Sequence, residues 1–417
     1  MKRPQPLLRQ LLCPYCWERF PPEELLWIAH HDDLRGDPVL GGEAFRRFLP
    51  TRFSPQGDAL DARGMKCQKL ACPQCRQEVP RTLLHHQMVI LSTIGVPGSG
   101  KSYFLTAMTW QLRHLLPNRF ALHFSDVDTQ LNRILNDYEQ VLFYGERKGE
   151  PVAIEKTELE GHLYVGVNLR DQPVRLPRPF VFDLKPGRGH RLEQQPISKT
   201  GRAICLYDNA GEHFLPGADT AAAPGTQHLA RSRMLMFLYD PTKDPRFREL
   251  CRGLSDDPQL GPHAQTRRQE TVLNEAFRRI RQHTNTPPGE RLQRPLVVLV
   301  AKSDIWAPLI DDDLRTEPIL TREGGRTELD IERIDAASAQ LRGLMQQVAP
   351  EFVAMAENET EPVVYLPVSA LGCSPVVLPE QQLLMVHPER IRPSWVTVPV
   401  LYAFSRWAKG LIDLPEG

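Results

Sequence analysis

The chain carries no surplus charge of either sign: 51 Lys and Arg residues stand against 51 Asp and Glu among 417 residues. That balance excludes the global positive field with which nucleic-acid-binding domains announce themselves, so nucleic acid is not an expected partner. No apolar run approaches membrane-spanning length, which excludes a spanning helix. The start of the chain lacks the apolar core of a secretory leader, and the expected location is cytoplasmic. Cysteine is sparse at eight residues, which fits a reducing compartment and excludes a disulfide scaffold. No internal repeat is evident. Proline, by contrast, is plentiful at 38 residues and collects between elements, as at Pro287-Pro288, where it stiffens loops. With 41% hydrophobic content the chain can fill one large α/β domain and a small module, expected at 86–417 and 1–85.

Within the larger part, Gly95-Val-Pro-Gly-Ser-Gly-Lys-Ser102 matches G-x-x-x-x-G-K-[ST] in full. An apolar run, Met88 to Leu91, leads in, and Phe104, Leu105, Met108, Leu112 and Leu115 follow at helical spacing. Glycines let such a loop curl so that its N–H groups face phosphate oxygens. Gly95, Gly98, Ser99, Gly100, Lys101, Ser102 and Tyr103 are therefore expected to line a phosphate site. Lys101 would reach the β- and γ-phosphates, and the Ser102 hydroxyl would ligate Mg²⁺.

Three further motifs follow in order, each behind a strand-like run. Ala203 to Tyr207 ends in Asp208-Asn209-Ala210-Gly211. An aspartate there can hold Mg²⁺ through water, and a glycine three residues on can offer a bare N–H to a γ-phosphate. Leu296 to Val300 ends in Ala301-Lys302-Ser303-Asp304, and Val363 to Val368 in Ser369-Ala370-Leu371. Each motif alone has an ordinary reading as a turn or a solvated strand end; their weight lies in co-occurrence.

This order, Walker A, DxxG, KxD and SA[KL], resembles the TRAFAC class of P-loop GTPases. The resemblance implies a doubly wound mixed sheet and a GTP- and GDP-binding, Mg²⁺-dependent hydrolase. It also implies that Asp304 accepts hydrogen bonds from the guanine edge, that Lys302 packs over the base and that the Ala370 N–H meets the guanine oxygen. The phrase Leu206 to Glu212, with Phe237 to Pro241 further on, is similar to the bacterial double-GTPase-like group, which implies a switch that works through a protein effector or activator in a conflict or defence system. Two positions depart from the family pattern. Ala301 stands where Asn or Thr braces the P-loop. Glu212 stands where a Gln or His positions water, with His213 as a possible substitute, so hydrolysis is expected to be slow without a partner.

The gaps between motifs are long. A strand at 121–124, a helix bearing Val127, Leu131, Ile134, Leu135, Tyr138, Val141 and Leu142 on one face, and a strand at 179–182 paired with 203–207 are expected between Ser102 and Asp208. Thr157 is the candidate to close over Mg²⁺ and the γ-phosphate, and residues 214–233 have the composition of a mobile switch segment. A helix carrying Leu273, Ala276, Phe277 and Ile280 is expected to expose Arg267, Arg268, Arg278, Arg279 and Arg281, a face more often solvated than binding. Further helices are expected around Ile334 to Val348 and after Pro399.

The first 85 residues hold Cys13-Pro14-Tyr15-Cys16 and Cys72-Pro73-Gln74-Cys75. Two residues between cysteines turn both thiolates onto one ion, so the four are expected to form a structural Zn²⁺ site, with Cys67 and His30-His31 as less favoured ligands. The sequence thus predicts a GTP-hydrolysing switch with a zinc module. Its alternatives are a P-loop ATPase, a nucleotide-loaded scaffold with negligible hydrolysis, and a zinc-dependent nucleic-acid binder gated by nucleotide.

Overall fold

The computed structural model describes all residues except 1–5, 146–148, 155–161, 170–171, 209–210, 212–225, 262–263, 288, 311–313, 315, 323–325, 379–382 and 416–417. Leu296–Val300, five consecutive aliphatic residues with no exposure at all, shows how the large sheet is specified. Such a run cannot alternate between core and solvent, so it demands cover on both faces, the condition of a strand inside a parallel sheet. Seven strands form the sheet: β1 (Gln87–Ile94), β2 (Leu122–Asp126), β3 (Phe180–Pro186), β4 (Arg202–Tyr207), β5 (Met234–Tyr239), β6 (Leu296–Val300) and β7 (Val363–Pro367), of which β4, β5 and β6 are buried along their whole length.

They lie in the order β2-β3-β4-β1-β5-β6-β7. β3 is antiparallel to both neighbours, with Phe180 opposite Leu206 and Phe124 opposite Leu184, as expected of its pairing with 203–207. The pairs β4/β1, β1/β5, β5/β6 and β6/β7 are parallel. The strand order reverses beside β1, and the carboxyl ends of β1, β4, β5, β6 and β7 share one edge of the sheet. A crevice outside the carboxyl ends at such a reversal is where open α/β sheets hold ligands.

One face is covered by α1 (Lys101–Phe120) and the last helix, α6 (Val398–Trp407), whose apolar residues form a continuous core with β1 to β7. The other face over β5 to β7 is covered by α3 (Gln269–Thr284) and α5 (Pro350–Glu359). α4 (Ile331–Val348) packs beside β7 and α5, with Ile334 and Ala337 in the first core and Leu341, Met345 and Val348 in the second, and is started by the Asp330 carboxylate accepting the Arg333 N–H at 3.0 Å. Residues 11–83 cover the same face over β1, β3 and β4: Tyr15, Trp17 and Val79 share a core with Ile90, Val181, Ala203, Cys205 and Tyr207. Trp17 donates its indole N–H to the Tyr207 hydroxyl at 2.9 Å.

Three expectations need correction. The second helix, α2, spans Arg133–Phe143 and leaves out Val127 and Leu131. Asp128 explains this, because its carboxylate accepts the Gln130 N–H at 2.7 Å and turns the chain before the helix begins. An unforeseen hairpin, Tyr164–Leu169 against Gln172–Pro177, packs Val165, Val167, Val174 and Leu176 into the core under the amino-terminal region. Arg279 is not on the exposed face of α3. It is 1% exposed and its Nε donates to Glu275 at 2.8 Å. Arg278 also holds Glu275, and Arg281 holds Glu359, so this row is engaged in ion pairs. No helix among the described residues is long and apolar enough to cross a membrane.

Candidate functional site

At the carboxyl end of β1 the chain turns through Gly98 and Gly100, both left-handed at φ of 72° and 90°, and enters the 20-residue α1 at Lys101. A loop at the amino end of a long helix presents its N–H groups and the positive helix end to an anion. Gly95 is required by space: a Cβ there would stand 2.8 Å from the Ser99 hydroxyl and 3.0 Å from the Leu238 carbonyl oxygen. Lys101 folds over its own loop, donating to the carbonyls of Gly95 and Val96 at 3.1 Å each. Tyr103 points elsewhere. Its hydroxyl accepts the Ile154 N–H at 3.2 Å and its ring packs near Leu142 and Val152.

β4 lies beside β1, and its carboxyl end delivers Asp208 to the same loop. The Ser102 hydroxyl donates to Asp208 Oδ2 at 2.6 Å. A hydroxyl and a carboxylate converging on one point form an oxygen donor set suited to a hard divalent cation. Gly211 presses against the loop from the same side. A Cβ on it would lie 2.4 Å from the Pro97 nitrogen, so only glycine permits this approach. Thr157, Glu212 and His213 lie outside the described residues, as does 214–225 of the expected switch segment.

The other two motifs meet one another at the ends of β6 and β7. The Ser369 hydroxyl donates to Asp304 Oδ1, the Gly372 N–H donates to the Ser369 oxygen at 2.8 Å, and the Ser303 N–H donates to the Val368 carbonyl at 3.1 Å. Asp304 is exposed yet held in place by these bonds, while Ala370 and Leu371 form the turn beside it. Gly372, at φ of 65°, lies so close to Arg392 that a Cβ would overlap the carbonyl oxygen at 1.9 Å. Lys302 adopts the left-handed region at φ of 56°, a conformation costly for a side-chain-bearing residue and typical of sites under functional constraint. Its ammonium reaches back to Asp240 and to the Thr242 hydroxyl at 2.9 Å each.

Thr242, Lys243 and Asp257 were not singled out in the sequence, and Asp240 entered only within a longer phrase. Asp240 is fully buried at the end of β5, and Gln269 clamps its backbone by donating to its carbonyl and accepting its N–H, both at 2.8 Å. Lys243, half-buried, places its ammonium 4.0 Å from where a Cβ on Gly98 would be. Burial holds its pKa below the usual lysine value; Asp240 opposes this, and Lys302, Arg267 and Arg248 add to it. Burial raises the Asp257 carboxyl, with Lys302 opposing and Asp304 and Asp240 reinforcing. Asp240 and Lys243 occupy a turn of ordinary composition, and only the crossover of β5 to the side of β1 makes them neighbours of the loop.

On the far side of β4, Cys13, Cys16, Cys72 and Cys75 bring their sulfurs within 4.8 Å of one another. Cys13 and Cys75 are 3.6 Å apart, and Cys16 and Cys72 are 3.7 Å apart. Disulfides need about 2 Å, whereas a tetrahedral ion with bonds of about 2.3 Å sets its sulfurs roughly 3.8 Å apart. The four cysteines therefore fit a zinc ion. The two halves are copies that the sequence reading passed over: Leu11 to Phe20 and Leu70 to Val79 share L-x-C-P-x-C, and the bonds Trp17 N–H to Cys13 and Arg76 N–H to Cys72, both 3.1 Å, match. Trp17 and Arg76 are both left-handed at φ of 57°. Cys67 is outside the cluster, beside the Met65 carbonyl.

The chain matches no known protein family and no curated protein. Similar solved structures include the signal recognition particle receptor SRb-GTP/SRX complex from Chaetomium thermophilum, at TM-score 0.27 and 14% identity over 69% of this chain and 93% of that one. Another is Sup35 complexed with GDP, at TM-score 0.22 and 12% identity over 70% of this chain and 40% of that one. A third is the protein ttk003000868 from Thermus thermophilus, at TM-score 0.25 and 13% identity over 79% of this chain and 40% of that one. These likenesses are too distant to bear on activity.

Proposed function

We propose that the chain binds a guanine nucleotide with Mg²⁺ across the carboxyl edge of its sheet and hydrolyses GTP slowly, as a switch. The observation that carries this reading is the placement of the 95–102 loop and the Asp304–Ser369 pair on one edge, behind β1 and β6 with only β5 between. Adjacent strands are about 4.8 Å apart, so the two loops are separated by roughly 10 Å laterally, the span from the phosphates of a nucleotide to its base. In this reading the loop N–H groups and Lys101 take the phosphates, and Ser102 and Asp208 hold Mg²⁺, which would neutralise charge developing on the γ-phosphate. The Gly211 N–H would be offered to the γ-phosphate.

Asp304 would accept from the N1–H and amino group of guanine, one at each carboxylate oxygen, while the Ser369 hydroxyl orients the carboxylate through Oδ1, and the Ala370 N–H and the Lys302 stem complete the base site. Adenine offers the opposite pattern on that edge and would leave Asp304 unsatisfied, the strongest form of discrimination open to a polar site. The missing brace at Ala301 would be supplied by Lys243, in the turn after β5, whose ammonium lies 4.0 Å from where a Cβ on Gly98 would be. Thr157 and the pair Glu212 and His213 are proposed for closure over Mg²⁺ and for orienting water. A protein effector or activator and a role in bacterial conflict rest on the resemblance, and a cytoplasmic setting on the sparse cysteines.

The test is nucleotide binding by Lys101→Ala, read by equilibrium titration with a fluorescent GTP analogue. Loss of binding is expected, and an affinity equal to the native chain's would overturn the assignment.

A further inference from the structure

The opposite edge of the sheet carries a second feature that the nucleotide reading does not use. A cleft of about 690 Å³ opens at the amino ends of β1 and β4, between the amino-terminal region and the end of α6. Six cations line it: Arg9, Arg19, Arg202, Arg233, Arg406 and Lys409. Among the described residues no carboxylate lines it. Elsewhere in the chain arginines are repeatedly tied to acids, as Arg246 is to Glu351 and Arg342 to Glu357. None of these six has an ion-pair partner among the described residues.

Arg202 stands at the floor. It is 8% exposed and paired across the sheet with Gln87, the first residue of β1. Its Nη1 donates to the carbonyls of Lys199 and Gly201 at 2.8 and 2.9 Å, but its buried Nε has no hydrogen-bond partner. A desolvated guanidinium without a counter-charge is unfavourable, and a negative ligand would relieve it. The other five cations form an exposed rim around it, and Leu12, Met88 and Trp407 supply an apolar wall. His86, also at the rim, is engaged by Asp183 at 2.8 Å and adds no acid to the cleft.

We propose that this cleft binds a small anion carrying clustered phosphate groups, at a site separate from the carboxyl-edge site. β1 is eight residues long, so the two sites lie roughly 25 Å apart along it. The volume lies within the range of small-molecule sites. A terminal phosphate can reach the recessed Arg202, whereas the phosphates of a nucleic-acid duplex, fixed along a stiff outer strand, reach only the rim. Guanidinium groups arranged around one point suit phosphate because each donates two parallel bonds to its oxygens.

The test is calorimetric titration of inorganic tripolyphosphate into the full chain and into Lys101→Ala, which removes the loop lysine at the other edge. Saturable binding that survives in Lys101→Ala is expected, because the loop at the other edge can itself take phosphate in the native chain, and the cleft variants are read in that background. Binding should weaken at least tenfold in Arg202→Met and in the surface double variant Arg233→Ala/Arg406→Ala, which decides the matter if the buried substitution prevents folding. Undiminished binding in the folded double variant overturns the proposal, as does binding lost in Lys101→Ala or no binding at all. Labelled single-stranded RNA that binds through these arginines and is not displaced by tripolyphosphate would also overturn it, in favour of a polymer ligand.

Discussion

Ala301 leaves the loop without a side-chain brace, and we propose that Lys243 takes that role. Ala301 is 5% exposed and offers the loop no side-chain donor, while Lys243 brings an ammonium to Gly98 from the turn after β5. Burial lowers its pKa most, Asp240 opposes this, and crowding by Lys302, Arg267 and Arg248 adds to it. An anion bound at the loop relieves that crowding. Lys243→Met is predicted to raise the dissociation constants for GTP and GDP by about tenfold, the scale of one lost charge-assisted contact. Thermal stability of the unliganded protein should hold or rise. Titration and melting curves on the same sample check this; weaker binding with a lower melting point would make Lys243 a structural residue.

At the level of elements, the approach of the β4 end to the β1 loop is the tightest constraint at the site. Gly211→Ala should displace the loop, because a Cβ would overlap the Pro97 nitrogen at 2.4 Å. We predict at least about a tenfold loss of GTP affinity with the fold retained, since the clash is local. Circular dichroism and titration measure the two parts separately.

Strands β1, β4, β5, β6 and β7 were legible because long apolar runs ending in a motif admit few other structures. The hairpin at 164–177 was not, although Val165, Val167, Val174 and Leu176 alternate with outward residues, because Gly166, Asn168, Pro173 and Pro177 are poor strand formers that argue for a loop. The start of α2 was misplaced because helical periodicity says nothing about an aspartate turn that precedes it.

The amino-terminal strands depend on a similar local device. Buried Asp61 accepts N–H groups of His30, His31, Arg63 and Met65 at 2.9 to 3.1 Å. Burial raises its pKa, but these four bonds outweigh it and hold the group below the usual carboxylate value. A depressed folded pKa means stabilisation that is present above about pH 4 and lost as pH falls through the folded value. Asp61→Asn should therefore lower the melting temperature at pH 6, and the difference from the native chain should shrink below about pH 4. A gap that widens in acid would contradict this.

Across the whole molecule, the four-cysteine region is not an appendage. It shares a core with β1, β3 and β4 and is bonded to Tyr207 on the strand that ends in Asp208. Metal binding is therefore linked to the stability of the sheet. We predict one zinc per chain by elemental analysis, and a fall of at least about 5 °C in the melting temperature of the whole protein on chelation, as a few kcal/mol would give at this size. A separate low transition that leaves the main one unmoved would show that the module folds alone. The two knuckles were readable because ligand spacing is short-range, whereas the cleft cations, scattered from Arg9 to Lys409, were hidden by a net charge of zero.

The central claim is that the Asp304 carboxylate selects guanine. Asn in its place keeps an acceptor for a purine N1–H but turns the second position into a donor, which matches the 2-oxo group of xanthine and not the 2-amino group of guanine. Competition of GTP, XTP and ATP for the native chain and for Asp304→Asn measures this directly. The native chain is predicted to prefer GTP by at least about 100-fold, and the variant to lose GTP and gain XTP. Equal preference in the two proteins, or a native preference for ATP, would contradict it.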